Sequence, residues 1–141
     1  VPHYDDRGFF AELVKFGEET FDTFKQTSYT ETYPGVITAF HWHKKQDDLW
    51  FIATGRAMVV LYDLREYSPT KGETQVIMAG KDDYQLIVIP KGVAHGYKVI
   101  GKDPVLLFYH TTECYDPKNP DEYRIPWDDK KIGFDWSVKN P

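Results

Sequence analysis

The stretch GVITAFHWHKKQDDLWFIATG, residues 35–55, decides the fold and contains the residues best suited to chemistry. Two apolar, β-prone runs flank a polar turn, which predicts two strands. Because successive side chains of a strand point to opposite faces, His41 and His43 should share one face while Trp42 points to the other. Two imidazoles followed by the carboxylate of Asp48 can bind a divalent metal or transfer a proton.

A further histidine, His95, lies far downstream in IPKGVAHGY, and a β-barrel brings such a strand beside the first. The spacing around these histidines resembles the two motifs of the cupin superfamily. In the first motif Asp48 stands where cupins usually have Glu. The second motif, PxGxxH ending at His95, has Tyr84 and Val99 in place of its opening Gly and closing Asn.

Length and composition restrict the class of protein. We expect one domain over residues 1–141, large enough for a single core. A net charge of −5 argues against nucleic-acid or anionic-membrane partners. The 16% of aromatic residues indicates either a barrel lined with rings or a pocket that stacks a planar ligand. The single cysteine, Cys114, cannot form an internal disulfide, and no apolar run is long enough to span a bilayer. We therefore expect a cytoplasmic location.

About eight or more short strands are predicted, with no amphipathic helix, which is typical of an antiparallel sandwich or barrel. Besides residues 35–55, the strand-like segments are FFAELVKF (9–16), QTSYTETY (26–33), RAMVVLYDLRE (56–66), TQVIMAG (74–80), YQLIVIP (84–90), KGVAHGYKVIG (91–101) and PVLLFYHTTECY (104–115). Residues 1–8 have a polar, turn-like composition, and GEETFDTF (17–24) fits a helical turn or a loop. From residue 116 we expect an irregular tail held by Trp127, Phe134 and Trp136.

The polar face of QTSYTETY is formed by Gln26, Ser28 and Thr30. Alternation alone leaves two interpretations open. This face either lines a pocket or belongs to an edge strand facing solvent.

The chain as a whole resembles the dTDP-4-dehydrorhamnose 3,5-epimerase family of cupins. The matching segments are DDRGFFAE (5–12), FKQTSYTET (24–32), GVITAFH (35–41), YDLREYSPTKGE (62–73), IPKGVAHGY (89–97), FYHTTECYDP (108–117) and IPWDDKKIGFDW (125–136). The resemblance implies an all-β fold, a double-stranded β-helix (jelly-roll) barrel with a short irregular C-terminal tail. It also implies a homodimer, since exposed edge strands favour pairing.

The implied reaction epimerises a nucleotide-linked 4-keto-6-deoxyhexose at C3, C5 or both, without a cofactor. A base removes a proton beside the ketone, an enolate forms, and an acid returns the proton to the opposite face. By resemblance, His41 is the base, His95 a second active-site histidine and Tyr109 the opposing acid. The substrate contacts that the resemblance implies are Arg7, Gln26, Ser28 and Tyr115, of which Tyr115 packs on the nucleobase.

The chain departs from the family pattern at several positions. Thr38 replaces an arginine that helps to hold the diphosphate, and Asp48 falls near a lysine that stabilises the enolate. Lys44 or Lys45 is a substitute for that lysine. The aspartate that pairs with the catalytic histidine has no counterpart within residues 1–141, so we expect Asp128, Asp129 or a partner's carboxylate to replace it.

Two alternatives to a cofactor-free epimerase stay open. His43 makes the motif similar to that of 3,4-ketoisomerases and of metal cupins, in which His41, His43, Asp48 and His95 would be four ligands to zinc, manganese or iron. Such a protein would be a metal-dependent isomerase or dioxygenase. Loss of the family cation and of the paired aspartate also fits a non-catalytic cupin that only binds a sugar nucleotide.

Overall fold

The computed structural model describes residues 2–13 and 24–138, and these form eleven strands and no helix. The strands are β1 (His3–Asp5), β2 (Gly8–Phe10), β3 (Gln26–Thr32), β4 (Ile37–Trp42), β5 (Asp48–Thr54), β6 (Arg56–Asp63), β7 (Thr74–Gly80), β8 (Leu86–Ile89), β9 (Val93–Ile100), β10 (Val105–Thr111) and β11 (Tyr123–Arg124). Within the described ranges, no helix is long and apolar enough to cross a membrane.

Two antiparallel sheets face each other. One has the order β3-β10-β5-β8 and the other β11-β4-β9-β6-β7, while β1 and β2 form a separate hairpin. The expected all-β jelly roll is confirmed, although the two sheets are not hydrogen-bonded to each other into a closed barrel. From β3 to β11 successive strands alternate between the two sheets, except that β6 and β7 pair within the five-stranded sheet. The ends of β4, β5, β9 and β10 thereby lie around one space.

The core between the sheets follows the period-2 alternation of the strands. Trp50 and Ile52 of β5 pack with Val59 of β6 and with Val105 and Leu107 of β10. All five side chains are buried. The inner face is apolar at one end of the sandwich and becomes polar at the other, which leaves room for a site there.

The outer face of the five-stranded sheet is covered by the C-terminal tail, as the aromatic anchors predict. The Trp136 ring lies 5.5 Å from that of Phe40, and its Nε1 donates to the Trp127 carbonyl at 3.0 Å. Phe134 packs edge-on against Trp136. Trp127 itself is half exposed, so its main contribution to this anchor is a backbone acceptor.

The outer face of the four-stranded sheet is covered only in part by the described residues, where Tyr84 stacks on Phe51 at 5.9 Å and Phe9 packs on Tyr84 at 5.0 Å. Tyr29 and Phe108 pack against each other there at 5.9 Å, and Leu86 and Val88 of β8 are exposed. We call these four residues the outer apolar strip. Large apolar side chains that share one exposed face often mark an interaction surface.

The N-terminal prediction was partly wrong. Residues 1–8 were expected to be a turn, but His3–Asp5 and Gly8–Phe10 form a tight hairpin. The expected strand over 9–16 is therefore limited to its first two residues, since 11–13 lie outside any strand. Residues 14–16 of that segment, and 17–23 of GEETFDTF, lie outside the described part of the chain.

Candidate active site

A cavity of about 740 Å³ opens between the two sheets. Its size falls in the range of small-molecule sites. Its lining includes three histidines, His41, His43 and His95, together with Asp48 and Tyr109. The cavity thus brings together the three histidines, the carboxylate and the tyrosine that the sequence predicted for the site.

Strand β4 presents its side chains as the alternation predicts. His41 and His43 line the cavity, whereas Trp42 lines a groove on the opposite side of the strand and packs on Tyr123 at 4.7 Å. β4 pairs with β9 so that His41 stands opposite His95, with an irregularity in register just before it. The two histidines are therefore direct cross-strand neighbours on one face.

Gly96 permits this close approach of β9 to β4. A Cβ added at residue 96 would lie 2.3 Å from the Ala39 Cβ and 2.8 Å from the Thr38 carbonyl oxygen. Such distances are far inside van der Waals contact, so only glycine fits without displacing β4. The residue next to His95 thus sets the spacing between the two histidine-bearing strands.

His41 lies on the open wall of the cavity and pairs with Glu122. Its Nδ1 is 2.9 Å from the Glu122 Oε1, and the two side chains are 25% and 36% exposed. An ionised carboxylate only accepts hydrogen bonds, so Nδ1 is the donor of this contact. In the neutral form of the ring, Nε2 is then the nitrogen that can accept a proton.

Within this chain, the carboxylate beside His41 is Glu122 and not the expected Asp128 or Asp129, while a partner's carboxylate stays a prediction. Asp129 instead accepts hydrogen bonds from the backbone amides of Lys131 and Ile132, where it shapes the tail. Glu122 takes the place beside His41 because β11 runs antiparallel to β4. No motif in the sequence distinguishes Glu122 from the other acids of the polar tail.

Asp48, His43 and His95 form the floor of the cavity. The Asp48 Oδ2 lies 3.9 Å from the Nε2 of each histidine. The remaining ring nitrogens donate to backbone carbonyls, His95 Nδ1 to Val93 at 3.0 Å and His43 Nδ1 to Asp121. Both Nε2 atoms therefore lie near the same carboxylate oxygen, beyond hydrogen-bond distance from it.

Burial governs protonation at this floor. Desolvation lowers the pKa of His95 to about 3, so its ring is neutral at neutral pH. Desolvation also raises the pKa of Asp48, against the lowering effects of His43 and of hydrogen bonds from Gln46 and Trp50. The floor thus disfavours charge on either partner.

The four-residue metal set expected from the motif is reduced to three. One ligand atom each from His43, Asp48 and His95 lies within 4.8 Å of the others, and His41 is outside this group. Two imidazoles and a carboxylate are a donor set that zinc, manganese or iron accepts. Both imidazoles also have the backbone hydrogen bond that orients metal-binding histidines.

The wall opposite His41 comes from the four-stranded sheet. Tyr109 of β10 reaches the cavity, as do Gln26 and Thr30 of β3, so the polar face of that strand points inward. Ser28 lies on the same face and accepts a hydrogen bond from Gln26 Nε2 at 3.3 Å. Gln26 Oε1 also accepts from the backbone amide of Tyr115 at 2.9 Å, which positions that residue at the cavity mouth.

The three predicted cationic contacts lie in different places. Lys45 lines the cavity, but Lys44 points to the groove behind β4, where its Nζ lies 4.6 Å from the Tyr123 ring. Arg7 is exposed on the N-terminal hairpin, where it pairs with Asp5, and does not line the cavity of its own chain. β4 ends at Trp42, so strand alternation could not separate Lys44 from Lys45.

Known proteins of one family resemble this chain over its whole length. The family model of dTDP-4-dehydrorhamnose 3,5-epimerase matches residues 1–141. The spore coat polysaccharide biosynthesis protein SpsL of Bacillus subtilis (strain 168) is 60% identical over 139 residues, which are 99% of this chain and 92% of that protein. The probable low-salt glycan biosynthesis epimerase Agl13 of Haloferax volcanii is 40% identical, covering 96% of this chain and 88% of its own length.

Solved structures give the same result. A dTDP sugar isomerase from Desulfovibrio desulfuricans G20 superposes with a TM-score of 0.90 at 27% identity, over 99% of this chain and 88% of that one. The dTDP-6-deoxy-D-glucose-3,5-epimerase of Legionella pneumophila Philadelphia 1, in complex with dTDP-4-keto-L-rhamnose, superposes with a TM-score of 0.86 at 28% identity. That match covers 99% of this chain and 76% of the Legionella protein.

Proposed function

Because this chain belongs to the dTDP-4-dehydrorhamnose 3,5-epimerase family, and is thereby an enzyme of the sugar-nucleotide epimerase and isomerase class, we propose that it inverts a dTDP-linked 4-keto-6-deoxyhexose at C3, C5 or both. The observation that carries the proposal is the position of His41, whose side chain is 25% exposed on one wall of the cavity with its Nδ1 bonded to a carboxylate. Tyr109 stands on the facing sheet of the same cavity.

His41 acts as the base in this proposal. A hydrogen on a carbon beside a ketone is weakly acidic, so the base must hold a neutral nitrogen in the cavity at neutral pH. Nε2 of His41 meets this need because Nδ1 is occupied by Glu122. The imidazolium formed on proton abstraction is then stabilised by the adjacent carboxylate.

Tyr109 acts as the acid on the opposite face of the sugar. It comes from β10 of the four-stranded sheet, whereas His41 comes from β4 of the five-stranded sheet. A sugar ring held between the sheets therefore has a base on one face and a phenol on the other. That placement supports inversion, since the proton leaves one face and returns to the other.

Lys45 supplies positive charge near the developing enolate. Thr38 and Asp48 occupy the positions where the family resemblance implies cations, and both line the cavity with Lys45. Loss of one donor to an enolate oxygen costs roughly 3–4 kcal/mol of barrier. Lys45 therefore limits that cost. Asp48 stays at the floor of the cavity and takes no part in stabilising the enolate.

The remaining predicted contacts bind the nucleotide half. Tyr115 is 61% exposed at the cavity mouth, where a nucleobase can stack on its ring. Gln26 and Ser28 offer polar groups beside it. Arg7 does not reach the cavity of its own chain, so we assign it to the nucleotide bound by a second chain.

We assign the outer apolar strip to a homodimer, which also brings the N-terminal hairpin near a second cavity. Phe9 of the hairpin packs on Tyr84 at 5.0 Å, beside the same sheet.

Size-exclusion chromatography with light scattering should give the mass of two chains for the wild type. Tyr29→Arg should give one chain, and Tyr67→Arg, which alters a 99% exposed tyrosine elsewhere, should not. A monomeric wild type contradicts the assignment.

We place the enzyme in the cytoplasm, together with its nucleotide-sugar substrate. Cys114 is exposed and unpaired, and a reducing compartment keeps such a thiol free.

The test of the proposed function is proton NMR of dTDP-4-keto-6-deoxyglucose in D2O, with enzyme and with or without a chelator. We expect deuterium at C3, C5 or both, an inverted product, and no effect of the chelator. No exchange under either condition contradicts the function. If dTDP still binds in that case, the protein is a non-catalytic binder.

A second candidate function rests on the floor triad of His43, Asp48 and His95, whose donor atoms lie close enough to converge on one ion. This candidate is a metal-dependent cupin isomerase or dioxygenase. It predicts stoichiometric zinc, manganese or iron in the purified protein and loss of activity with the chelator. Metal-free protein that exchanges protons at the full rate excludes it.

A further inference from the structure

A second concave surface lies behind β4, on the side opposite the cavity. It is a groove of about 820 Å³, lined by residues 42, 44, 64–65, 91–92 and 123–125, and we call it the rear groove. Trp42 and Lys44 line the rear groove, whereas His41 and His43 line the cavity. The proposed reaction uses no residue of the rear groove, so this surface needs an explanation of its own.

The charge of the rear groove is opposite in sign to that of the whole chain. The chain has a net charge of −5, yet the described residues that line the groove include no carboxylate and four cations, Lys44, Arg65, Lys91 and Arg124. Arg65 is already neutralised, because its guanidinium donates to both carboxylate oxygens of Asp63, at 3.0 and 3.1 Å. Three cations are left to attract an anion.

These three cations have hydrogen-bond donors to spare. In the part of the chain that the structure describes, no carboxylate lies within 4.0 Å of the Lys44 or Lys91 ammonium group. The Arg124 side chain is 76% exposed, and its guanidinium is 3.9 Å from the Glu122 carboxylate, beyond hydrogen-bond distance. Phosphate oxygens accept charge-assisted hydrogen bonds from such donors. The rim of the rear groove is therefore suited to phosphate.

The bottom of the rear groove is apolar and aromatic. The rings of Trp42 and Tyr123 pack together with their centres 4.7 Å apart, and Leu64 and Ile125 line the groove with them. The Lys44 ammonium group lies 4.6 Å from the centre of the Tyr123 ring, so a positive charge stands directly beside the apolar surface. A ligand that combines a flat apolar group with phosphates matches this arrangement.

We propose that the rear groove is a nucleotide site separate from the cavity, and that it takes a nucleoside diphosphate. The phosphates bind Lys44, Lys91 and Arg124, and the nucleobase packs on the apolar bottom of the groove, where it leaves water. This site takes no part in proton transfer at His41. The inference therefore does not depend on the proposed function.

The experiment follows the tryptophan indole N–H signals by 1H–15N NMR while ADP or inorganic pyrophosphate is added to the full chain. Trp42 reports on the rear groove and Trp50 on the cavity. We expect ADP to shift the Trp42 signal to saturation. Lys91→Glu should weaken this binding about tenfold or more, since it replaces a donor by a like charge. Pyrophosphate should bind about tenfold more weakly than ADP, because it lacks the nucleobase.

The matched control is Lys102→Glu, which makes the same charge change at an exposed lysine outside the rear groove and should bind ADP as the wild type does. Lys91 itself contacts the fold through its backbone amide, which donates to Asp47, so its side chain can be changed without breaking that contact. Addition of dTDP should shift the Trp50 signal equally in Lys91→Glu and the wild type, because the cavity is unchanged.

A Trp42 signal that ADP does not shift overturns the proposal, and so does equal affinity for ADP in Lys91→Glu and the wild type. Pyrophosphate that binds as tightly as ADP contradicts the contact with the nucleobase. A glutamate-rich peptide that shifts the Trp42 signal where ADP does not would assign the groove to a protein partner instead. If dTDP shifts Trp50 in no variant, the proposed function fails while the Trp42 result still decides the rear groove.

Discussion

Two histidines stand opposite each other on paired strands of this molecule and have different environments. His41, on the cavity wall, is 25% exposed and contacts a carboxylate, whereas His95, on the floor, is 4% exposed and donates to a backbone carbonyl. Burial lowers the pKa of His95 to about 3. Residue type and strand face are the same, so solvent access and the Nδ1 partner decide which ring can gain a positive charge.

Under the proposed function, proton transfer takes place at the wall, and the buried floor has no part in it. A base has to become charged during the reaction, and water and Glu122 make this possible at His41. The floor has Asp48 beside two imidazoles, with Trp50 and Gln46 donating to its carboxylate. Two donors hold the carboxylate, and backbone carbonyls hold the two imidazoles through their Nδ1 atoms.

The largest effect is expected at the acid on the other wall. Tyr109→Phe removes the phenolic hydrogen, so inverted product should form about 10²–10⁴-fold more slowly. His41 is intact in this variant, and deuterium should still enter the sugar with retained configuration. Proton NMR in D2O separates the two outcomes. Equal formation of inverted product in Tyr109→Phe and in the control Tyr67→Phe would remove Tyr109 from the reaction.

The spacing of wall and floor is tested at Gly96. Gly96→Ala places a Cβ 2.3 Å from that of Ala39, so β4 has to move and we expect a loss of about 1–3 kcal/mol in the free energy of unfolding, with lower activity. Ala39→Gly in the same chain removes the nearest contact and should restore part of both. Urea unfolding measures the stability, and solvent-deuterium exchange into the sugar measures the activity. Wild-type stability in Gly96→Ala would show that the strands are not closely apposed.

The buried floor of the cavity predicts that the protein loses stability in acid. Between pH 6.5 and about 3 the unfolded chain binds a proton at His95 that the folded chain does not, so the free energy of unfolding falls as the pH is lowered through this range. The slope from this residue is at most about 1.4 kcal/mol per pH unit. His95→Gln should reduce the slope measured by urea unfolding at several pH values. The exposed-residue control His3→Gln should keep it, and equal slopes in all three proteins would contradict the buried, neutral ring.

The smallest effect is expected at the mouth, far from both histidines. Tyr115→Ala should raise KM about tenfold with kcat within a factor of two, because base stacking is worth roughly 1–3 kcal/mol. Steady-state kinetics checks this split, with Tyr33→Ala, another exposed tyrosine, as control. A fall in kcat without a change in KM would assign Tyr115 to the chemistry instead.

Strand periodicity accounts for what the sequence could predict here. The alternation of apolar residues predicts the strands from β3 to β10, and the HxH spacing predicts that His41 and His43 share a face opposite Trp42. The aromatic residues of the tail predict its anchor at Trp136. These features depend on neighbours along the chain, which is the information that a pattern contains.

The partner of His41 and the side of Lys44 could not be predicted in this way. Glu122 belongs to a polar segment with several acids, and its place depends on the two-residue pairing of β11 with β4, which leaves no periodic signal. Lys44 lies beyond the end of β4, where strand parity no longer applies. Burial of His95 also depends on both sheets, so its neutral state could not be predicted from the sequence alone.

The measurement that tests the central claim most directly compares solvent-deuterium exchange in His41→Asn and His95→Asn with saturating dTDP-4-keto-6-deoxyglucose. We expect His41→Asn to lose exchange by about 10³-fold or more, because the base is gone. His95→Asn should retain exchange within about 10²-fold of the wild type, since it removes support but not the base. Exchange at the wild-type rate in His41→Asn, or its loss only in His95→Asn, would contradict the assignment of proton transfer to the wall.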